Sequence, residues 1–132
     1  MTATGGVRRK TILVVEDDEA VRTLLARALG VQYEVLTACD GQQALDLLQS
    51  SRAPAPLSLI ITDVMMPKMN GYALSRLLKA DRRWNTVPIV FLTARASAKD
   101  VVLGISAGAR HYISKPFSVR DVIEKVGRIL NA

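Results

Sequence analysis

The stretch Leu57-Ser-Leu-Ile-Ile-Thr-Asp63 has the composition of a buried strand and ends in a carboxylate. The turn Val64-Met-Met-Pro-Lys-Met-Asn-Gly71 follows it directly. Open α/β sheets bind ligands in the crevice outside the carboxyl ends of their strands. The position of Asp63 therefore predicts a ligand site where this strand runs out.

Four other short apolar runs alternate with amphipathic segments along the chain. The first, third and fourth runs are nearly continuous in Ile, Val and Leu, which is typical of strands buried on both faces of a parallel sheet. The second and fifth are shorter and more polar, so we expect them at the sheet edges. The five predicted strands are Thr11–Val15, Tyr33–Thr37, Leu57–Thr62, Val87–Leu92 and Arg110–Ser114.

The segments between these runs have helical periodicity. Apolar residues recur at helical spacing after the first strand and after the fifth. Asn70-Gly71 is also a hairpin signal, but leucines follow at helical spacing and favour a helix. The predicted N-caps are Asp18, Asp40, Asn70, Ser97 and Ser118, the last two with an aspartate three residues on.

The fourth helix, between Ser97 and Gly108, is the weakest, because Gly104 and Gly108 lie within it or at its end. Strand and helix nevertheless alternate five times. The predicted fold class is α/β, a doubly wound five-stranded parallel sheet with five helices. We place this domain at residues 11–132, after a disordered basic lead-in at residues 1–10.

Composition excludes several classes of protein. The chain has 132 residues, 49% of them hydrophobic, which suits one globular domain. Cys39 is the only cysteine, so an internal disulfide and a cysteine-based metal cluster are excluded. Neither a secretory signal nor an apolar run long enough to span a bilayer is present. We therefore expect a cytoplasmic protein without membrane insertion.

The formal net charge of +6 has one local concentration beyond the amino-terminal basic residues. It comprises Arg76, Lys79, Arg82 and Arg83. Nucleic-acid binding usually needs a denser basic stripe with aromatic residues for stacking, and aromatics make up only 5% of this chain. Direct nucleic-acid binding is therefore not expected, and the solvated face of a helix is the simpler interpretation.

Charged and hydroxyl residues stand at the ends of the other predicted strands. Glu16 and Asp17 follow the first, Thr93 follows the fourth and Lys115 follows the fifth. These residues converge on Asp63 if the strand order is flavodoxin-like, 2-1-3-4-5. Crowded carboxylates repel, and a hard cation relieves the repulsion.

We therefore predict Mg²⁺ as a cofactor. Its predicted ligands are Glu16, Asp17, Asp63 and the backbone carbonyl of Met65.

The same pocket suits a phosphoryl group. The carboxylate of Asp63 is a candidate nucleophile, and Lys115 is a compact cation for a phosphate. Thr93 offers a hydroxyl donor, although capping the next helix is an alternative. Pro116 allows a cis bond after Lys115. Tyr112 is interpreted from spacing alone as an aromatic plug on the last strand.

Four motifs in this order resemble the receiver domain of two-component response regulators, including chemotaxis-type single-domain receivers. The resemblance covers about residues 10 to 131. The motifs are Ile12-Leu-Val-Val-Glu-Asp-Asp-Glu19, Asp63-Val-Met-Met-Pro-Lys-Met-Asn-Gly71, Phe91-Leu-Thr-Ala94 and Lys115-Pro-Phe117.

The resemblance implies a role for each pocket residue. Asp63 takes a phosphoryl group from the phosphohistidine of a sensor histidine kinase or a histidine phosphotransfer protein. Thr93 and Lys115 grip the phosphoryl oxygens, and the domain catalyses its own phosphorylation and dephosphorylation. Thr93 and Tyr112 then switch the face made by the fourth helix, the fifth strand and the fifth helix, where a downstream output protein binds.

Some positions separate this chain from its alternatives. A haloacid-dehalogenase-like phosphatase would need an aspartate two residues after Asp63, where Met65 stands. An unphosphorylated scaffold is disfavoured because every pocket group is present.

Arg110 and His111 replace the acidic pair of the winged-helix subfamily, so that subfamily's charge-paired dimer is not expected. Because the sequence given ends at Ala132, we expect a stand-alone receiver, or the same domain regulating an attached output module.

Overall fold

The structure is a computed structural model, and it describes residues 9–50, 57–94 and 110–131. Within these ranges, five strands and four helices form. The strands are β1 (Thr11–Val15), β2 (Glu34–Ala38), β3 (Leu57–Asp63), β4 (Ile89–Thr93) and β5 (His111–Ser114). The helices are α1 (Glu19–Leu29), α2 (Gly41–Gln49), α3 (Gly71–Lys79) and α4 (Val119–Leu130). The helix predicted between Ser97 and Gly108 lies outside the described residues, so α4 is the one predicted as the fifth.

The five strands form one parallel sheet in the order β2-β1-β3-β4-β5. The doubly wound, flavodoxin-like architecture is therefore confirmed, and so are the edge positions of β2 and β5. The strand limits agree with prediction to within two residues. The largest difference is at β4, which begins at Ile89 because Pro88 has no N–H to donate to a neighbouring strand.

Alternate residues of the central strands build two separate cores on the two faces of the sheet. Leu13, Ile60 and Phe91 face α2 and α3. Ile12, Ile61 and Leu92 face α1 and α4. Every residue of β1 and β4 is buried, which is why their sequences show no polar alternation.

The predicted caps that lie within the described ranges are confirmed. Asp18 accepts a hydrogen bond from the Val21 N–H at 3.1 Å, and Asn70 accepts one from the Ala73 N–H at 2.8 Å. The cap at Asn70 shows that this segment begins a helix and not a hairpin. Asp40 and Ser118 cap α2 and α4 in the same way.

The amino-terminal boundary of the domain stays a prediction. Residues 1–8 lie outside the described ranges, whereas Arg9 and Lys10 donate hydrogen bonds to the carbonyl oxygens of Gly30 and Leu130. Among the described residues, no helix combines the length and apolar character needed to cross a bilayer.

Candidate functional site

Three carboxylates meet at the carboxyl end of the sheet. One oxygen from each of Glu16, Asp17 and Asp63 lies within 4.8 Å of the others. Glu16 and Asp17 follow β1, and Asp63 is the last residue of β3, the strand beside it. Glu16 is fully buried and Asp63 nearly so, whereas Asp17 is exposed. The sheet order therefore brings the predicted acidic residues together, with Asp17 on the solvent side.

One cation lies between two of these carboxylates. Lys115 follows β5, and its Nζ lies 3.1 Å from Glu16 Oε1 and 3.2 Å from Asp63 Oδ2. The peptide bond between Lys115 and Pro116 is cis. The Lys115 N–H donates to the carbonyl oxygen of Thr93 at 2.7 Å, which ties the end of β5 to the end of β4.

Burial sets the electrostatics of Glu16. The pKa of its carboxyl is raised to about 7, chiefly by loss of solvent, and the hydrogen bond with Asp17 and the charge of Asp63 act in the same direction. The Asp18 N–H, 3.0 Å from Glu16 Oε2, and the ammonium of Lys115 favour the ionised form and lower the pKa. Glu16 and Asp63 thus share the single ammonium of Lys115. A further positive charge at this site would stabilise the ionised form of both carboxylates.

The pKa of Lys115 shows the same balance from the cation's side. Burial lowers it, but the hydrogen bonds to Glu16 and Asp63 and their negative charges outweigh burial, so the pKa of Lys115 lies above its ordinary value. Lys115 is therefore held as a charged ammonium against the carboxylates.

Thr93 and Tyr112 lie on the neighbouring strands. Thr93 is the buried last residue of β4 and is in register with Ser114 of β5. Tyr112 is half-buried on β5, and its ring centroid lies 5.7 Å from that of Phe91. The aromatic plug expected at Tyr112 is thus confirmed as packing against β4. Its role in switching and the role of Thr93 stay predictions.

The turn after Asp63 contains a close approach that sequence reasoning missed. A Cβ at position 71 would overlap the carbonyl oxygen of Asp63, and the Gly71 N–H donates to the carbonyl oxygen of Val64 at 2.9 Å. Gly71 therefore lets α3 begin directly against the end of β3. The signal for this close approach in the sequence is the glycine directly after the Asn70 cap. The Asn70-Gly71 pair by itself distinguishes only between a helix and a hairpin.

Two other neighbours of the site were not foreseen. Arg22 Nη1 donates to the Glu16 carbonyl oxygen at 2.9 Å, although Arg22 reads in sequence as an ordinary polar residue of α1. The side chain of Met65 is 76% exposed. The metal-ligand role of the Met65 carbonyl remains a prediction.

The comparisons with known proteins agree with this geometry. Residues 12–127 match the model of the response regulator receiver domain family. The chain belongs to this family. The haloacid-dehalogenase alternative is thereby excluded, as the residue at position 65 had indicated.

The relatives of this receiver domain include transcriptional regulatory proteins. The transcriptional regulatory protein CpxR of Escherichia coli is 42% identical over 120 residues, which cover 90% of this chain and 48% of CpxR. The receiver spans about half the length of the curated relatives it matches.

Solved structures are similar over nearly their full length. The chemotaxis protein CheY4 of Vibrio cholerae is 30% identical with a TM-score of 0.85, covering 92% of this chain and 99% of that one. The receiver domain of the sensor histidine kinase PA1611 of Pseudomonas aeruginosa was solved with a magnesium ion in its active site cleft. It is 28% identical with a TM-score of 0.80, covering 96% of this chain and all of that one.

Proposed function

We propose that this receiver accepts a phosphoryl group on Asp63 from the phosphohistidine of a sensor histidine kinase or a histidine phosphotransfer protein. The observation that carries the proposal is the contact of Asp63 Oδ2 with Lys115 Nζ at 3.2 Å, inside a cluster that also contains Glu16 and Asp17. A nucleophilic carboxylate is thus held beside a cation at the edge where parallel sheets bind ligands.

The proposed phosphoryl transfer exchanges a P–N bond of the donor for an O–P bond to Asp63. A carboxylate oxygen of Asp63 attacks phosphorus, the new O–P bond forms and the P–N bond to the donor imidazole breaks with its electron pair remaining on nitrogen. The product is an acyl phosphate. Attack by water on phosphorus later cleaves the O–P bond, restores the carboxylate of Asp63 and releases inorganic phosphate.

The donor set fits Mg²⁺. Three carboxylate oxygens within 4.8 Å of one another, one of them on the exposed Asp17, are hard ligands with a side open to water and phosphate. Glu16, Asp17, Asp63 and the Met65 carbonyl would hold the ion. When bound, the ion supplies positive charge that offsets repulsion between the incoming phosphoryl oxygens and the carboxylates. The magnesium ion in the PA1611 receiver supports this assignment.

The remaining pocket residues would stabilise the transferred group. The ammonium of Lys115 lies 3.2 Å from Asp63 Oδ2 and would bind an oxygen of a phosphoryl group attached there. Thr93 ends the strand next to β3 and would donate its hydroxyl to another oxygen. Movement of Thr93 would then draw Tyr112 inward and alter the face that includes β5 and α4, where a downstream output protein would bind.

Phosphodonor labelling tests this function. Incubation with Mg²⁺ and acetyl phosphate is expected to add one phosphate, seen by intact-protein mass, and Asp63→Asn is expected to abolish it. Asp18→Asn is the matched control, because asparagine caps α1 as well as aspartate does and Asp18 is the neighbouring carboxylate. Unlabelled wild-type protein, or labelling that persists in Asp63→Asn, would contradict the proposal and favour a scaffold without phosphorylation.

A further inference from the structure

A groove of about 520 Å³ lies between α2 and the end of α3, lined by residues that the phosphoryl pocket does not use. Leu45 and Leu48 form the α2 side. Leu77 and Trp84 line the α3 side, and the side chain of Leu77 is 48% exposed. Leu77 thus extends the apolar lining of the groove to the protein surface.

The rim of the groove on the α3 side is cationic. Arg83 makes a fork with Asp81, with Nη2 at 2.8 Å from Oδ2 and Nε at 3.1 Å from Oδ1, and its guanidinium carbon lies 5.6 Å from the centre of the Trp84 ring. The neighbouring Arg82 is exposed and makes no hydrogen bond or ion pair to any of the described residues. Arg83 thus already pairs with Asp81, whereas Arg82 has no ionic partner among the described residues and can face an anionic partner.

The other basic residues of this region do not form a polyanion-binding stripe. Lys79 turns its ammonium to the carbonyl oxygens of Asn85 and Val87, at 3.3 and 2.9 Å. Burial, and then the charge of Arg110, lower the pKa of Lys79. With Lys79 and Arg83 engaged, Arg76 and Arg82 are the remaining cations of the cluster, too few for a phosphate backbone, which is bound through many such contacts.

We propose that this groove binds an amphipathic helix of a partner protein, with its apolar stripe between α2 and α3 and its acidic residues facing Arg82. Two antiparallel or parallel helices leave a furrow that a third helix fills with residues at i, i+3, i+4 and i+7. The apolar floor supplies the area and the cationic rim supplies the preference for acidic flanks.

Trp84 provides a direct readout, since it is the only tryptophan of the chain and lines the groove. The probes are two synthetic helical peptides of roughly 15 residues with one leucine stripe, flanked by glutamates in one and by lysines in the other. The glutamate peptide is expected to change the Trp84 fluorescence and saturate, and the lysine peptide is not. Leu77→Gln and Arg82→Glu are each expected to raise the Kd at least about tenfold.

Leu24→Gln is the matched control, because Leu24 is 49% exposed on α1, away from the groove. It is expected to bind the glutamate peptide as the wild type does. The proposal is overturned if the glutamate peptide leaves the Trp84 fluorescence unchanged or if both peptides bind equally. It is also overturned if Leu24→Gln weakens binding as much as Leu77→Gln, or if duplex DNA, titrated in parallel, is the probe that saturates the signal.

Discussion

Lys115 Nζ lies 3.1 Å from Glu16 Oε1, an ion pair between residues 99 positions apart in the chain. The carboxyl of Glu16 is fully buried, so it depends on protein groups for the stabilisation that water would give an exposed carboxylate. The lysine therefore belongs to the stability of the domain as well as to its proposed chemistry.

Replacing the cation is expected to destabilise the fold. Lys115→Met keeps the aliphatic stem but leaves Glu16 and Asp63 without their shared ammonium, so the free energy of unfolding should fall by about 1–3 kcal/mol in urea titrations. Lys68→Met is the control. Its ion pair with Asp40 is 3.9 Å long and its side chain 74% exposed, so the loss should stay below about 0.5 kcal/mol. If the free energy of unfolding fell equally in the two variants, Lys115 would stabilise the fold no more than the exposed Lys68 does.

Magnesium is expected to stabilise the protein through Asp17. An ion that binds only the folded state raises the free energy of unfolding, by about 2.7 kcal/mol at one hundred times its Kd. Thermal unfolding with and without Mg²⁺ should therefore show a higher Tm with the ion in the wild type and in Asp18→Asn. Asp17→Asn should lose the increase, because of the two neighbouring aspartates Asp17 belongs to the acidic cluster and Asp18 does not. A full increase in Asp17→Asn would remove that residue from the site.

The close approach at Gly71 gives a stability test that needs no ligand. Gly71→Ala forces a Cβ against the Asp63 carbonyl and the backbone of Val64, and is expected to cost about 1–3 kcal/mol. Gly127→Ala in α4 is the matched control. Among the described residues its Cβ would meet only Asn131 Nδ2, at 3.9 Å, so this change should stabilise the protein by about 0.5–1 kcal/mol. Two changes of the same sign and size would contradict the packing described at Gly71.

Protonation of His111 is expected to lower the stability of the folded protein in mild acid. It is half-buried, and burial, then the positive charges of Lys125 and Arg110, lower the pKa of its ring below the ordinary value. As the pH falls below about 6.5, the unfolded chain binds the proton first, so stability present at higher pH is lost through this window.

The comparison with His111→Gln isolates this effect. Glutamine takes up no proton, so urea unfolding between pH 8 and pH 5 should show a smaller decline in the variant than in the wild type. The two proteins should run parallel above pH 7. Parallel behaviour down to pH 5 would mean that the folded protein does not lower the pKa of His111.

Several features were predictable from the sequence because they depend on neighbours within one turn of chain. The caps at Asp18, Asn70 and Ser118 each bond the N–H three residues on, so their spacing is visible in the sequence. The burial of β1 on both faces could likewise be inferred, since a run without polar alternation needs cover on each side.

The site was predictable only as a list of residues. Their positions at strand ends followed from the pattern, but the pairing of Lys115 with both Glu16 and Asp63 did not, because it joins three separate strands. Gly71 was missed for a related reason. The overlap it avoids involves the backbone of β3, whose path relative to α3 is set by packing.

The sequence alone thus determined which of the described segments are strands and helices, and that acidic residues, a hydroxyl and a lysine stand at strand ends. Tertiary structure alone decided which carboxylate is buried, which cation neutralises it, and that α2 and α3 leave a groove beside Trp84. The physical reason is the distance along the chain over which each kind of interaction acts. Hydrogen-bonding and periodicity act over a few residues, whereas burial and ion pairing depend on how distant segments pack.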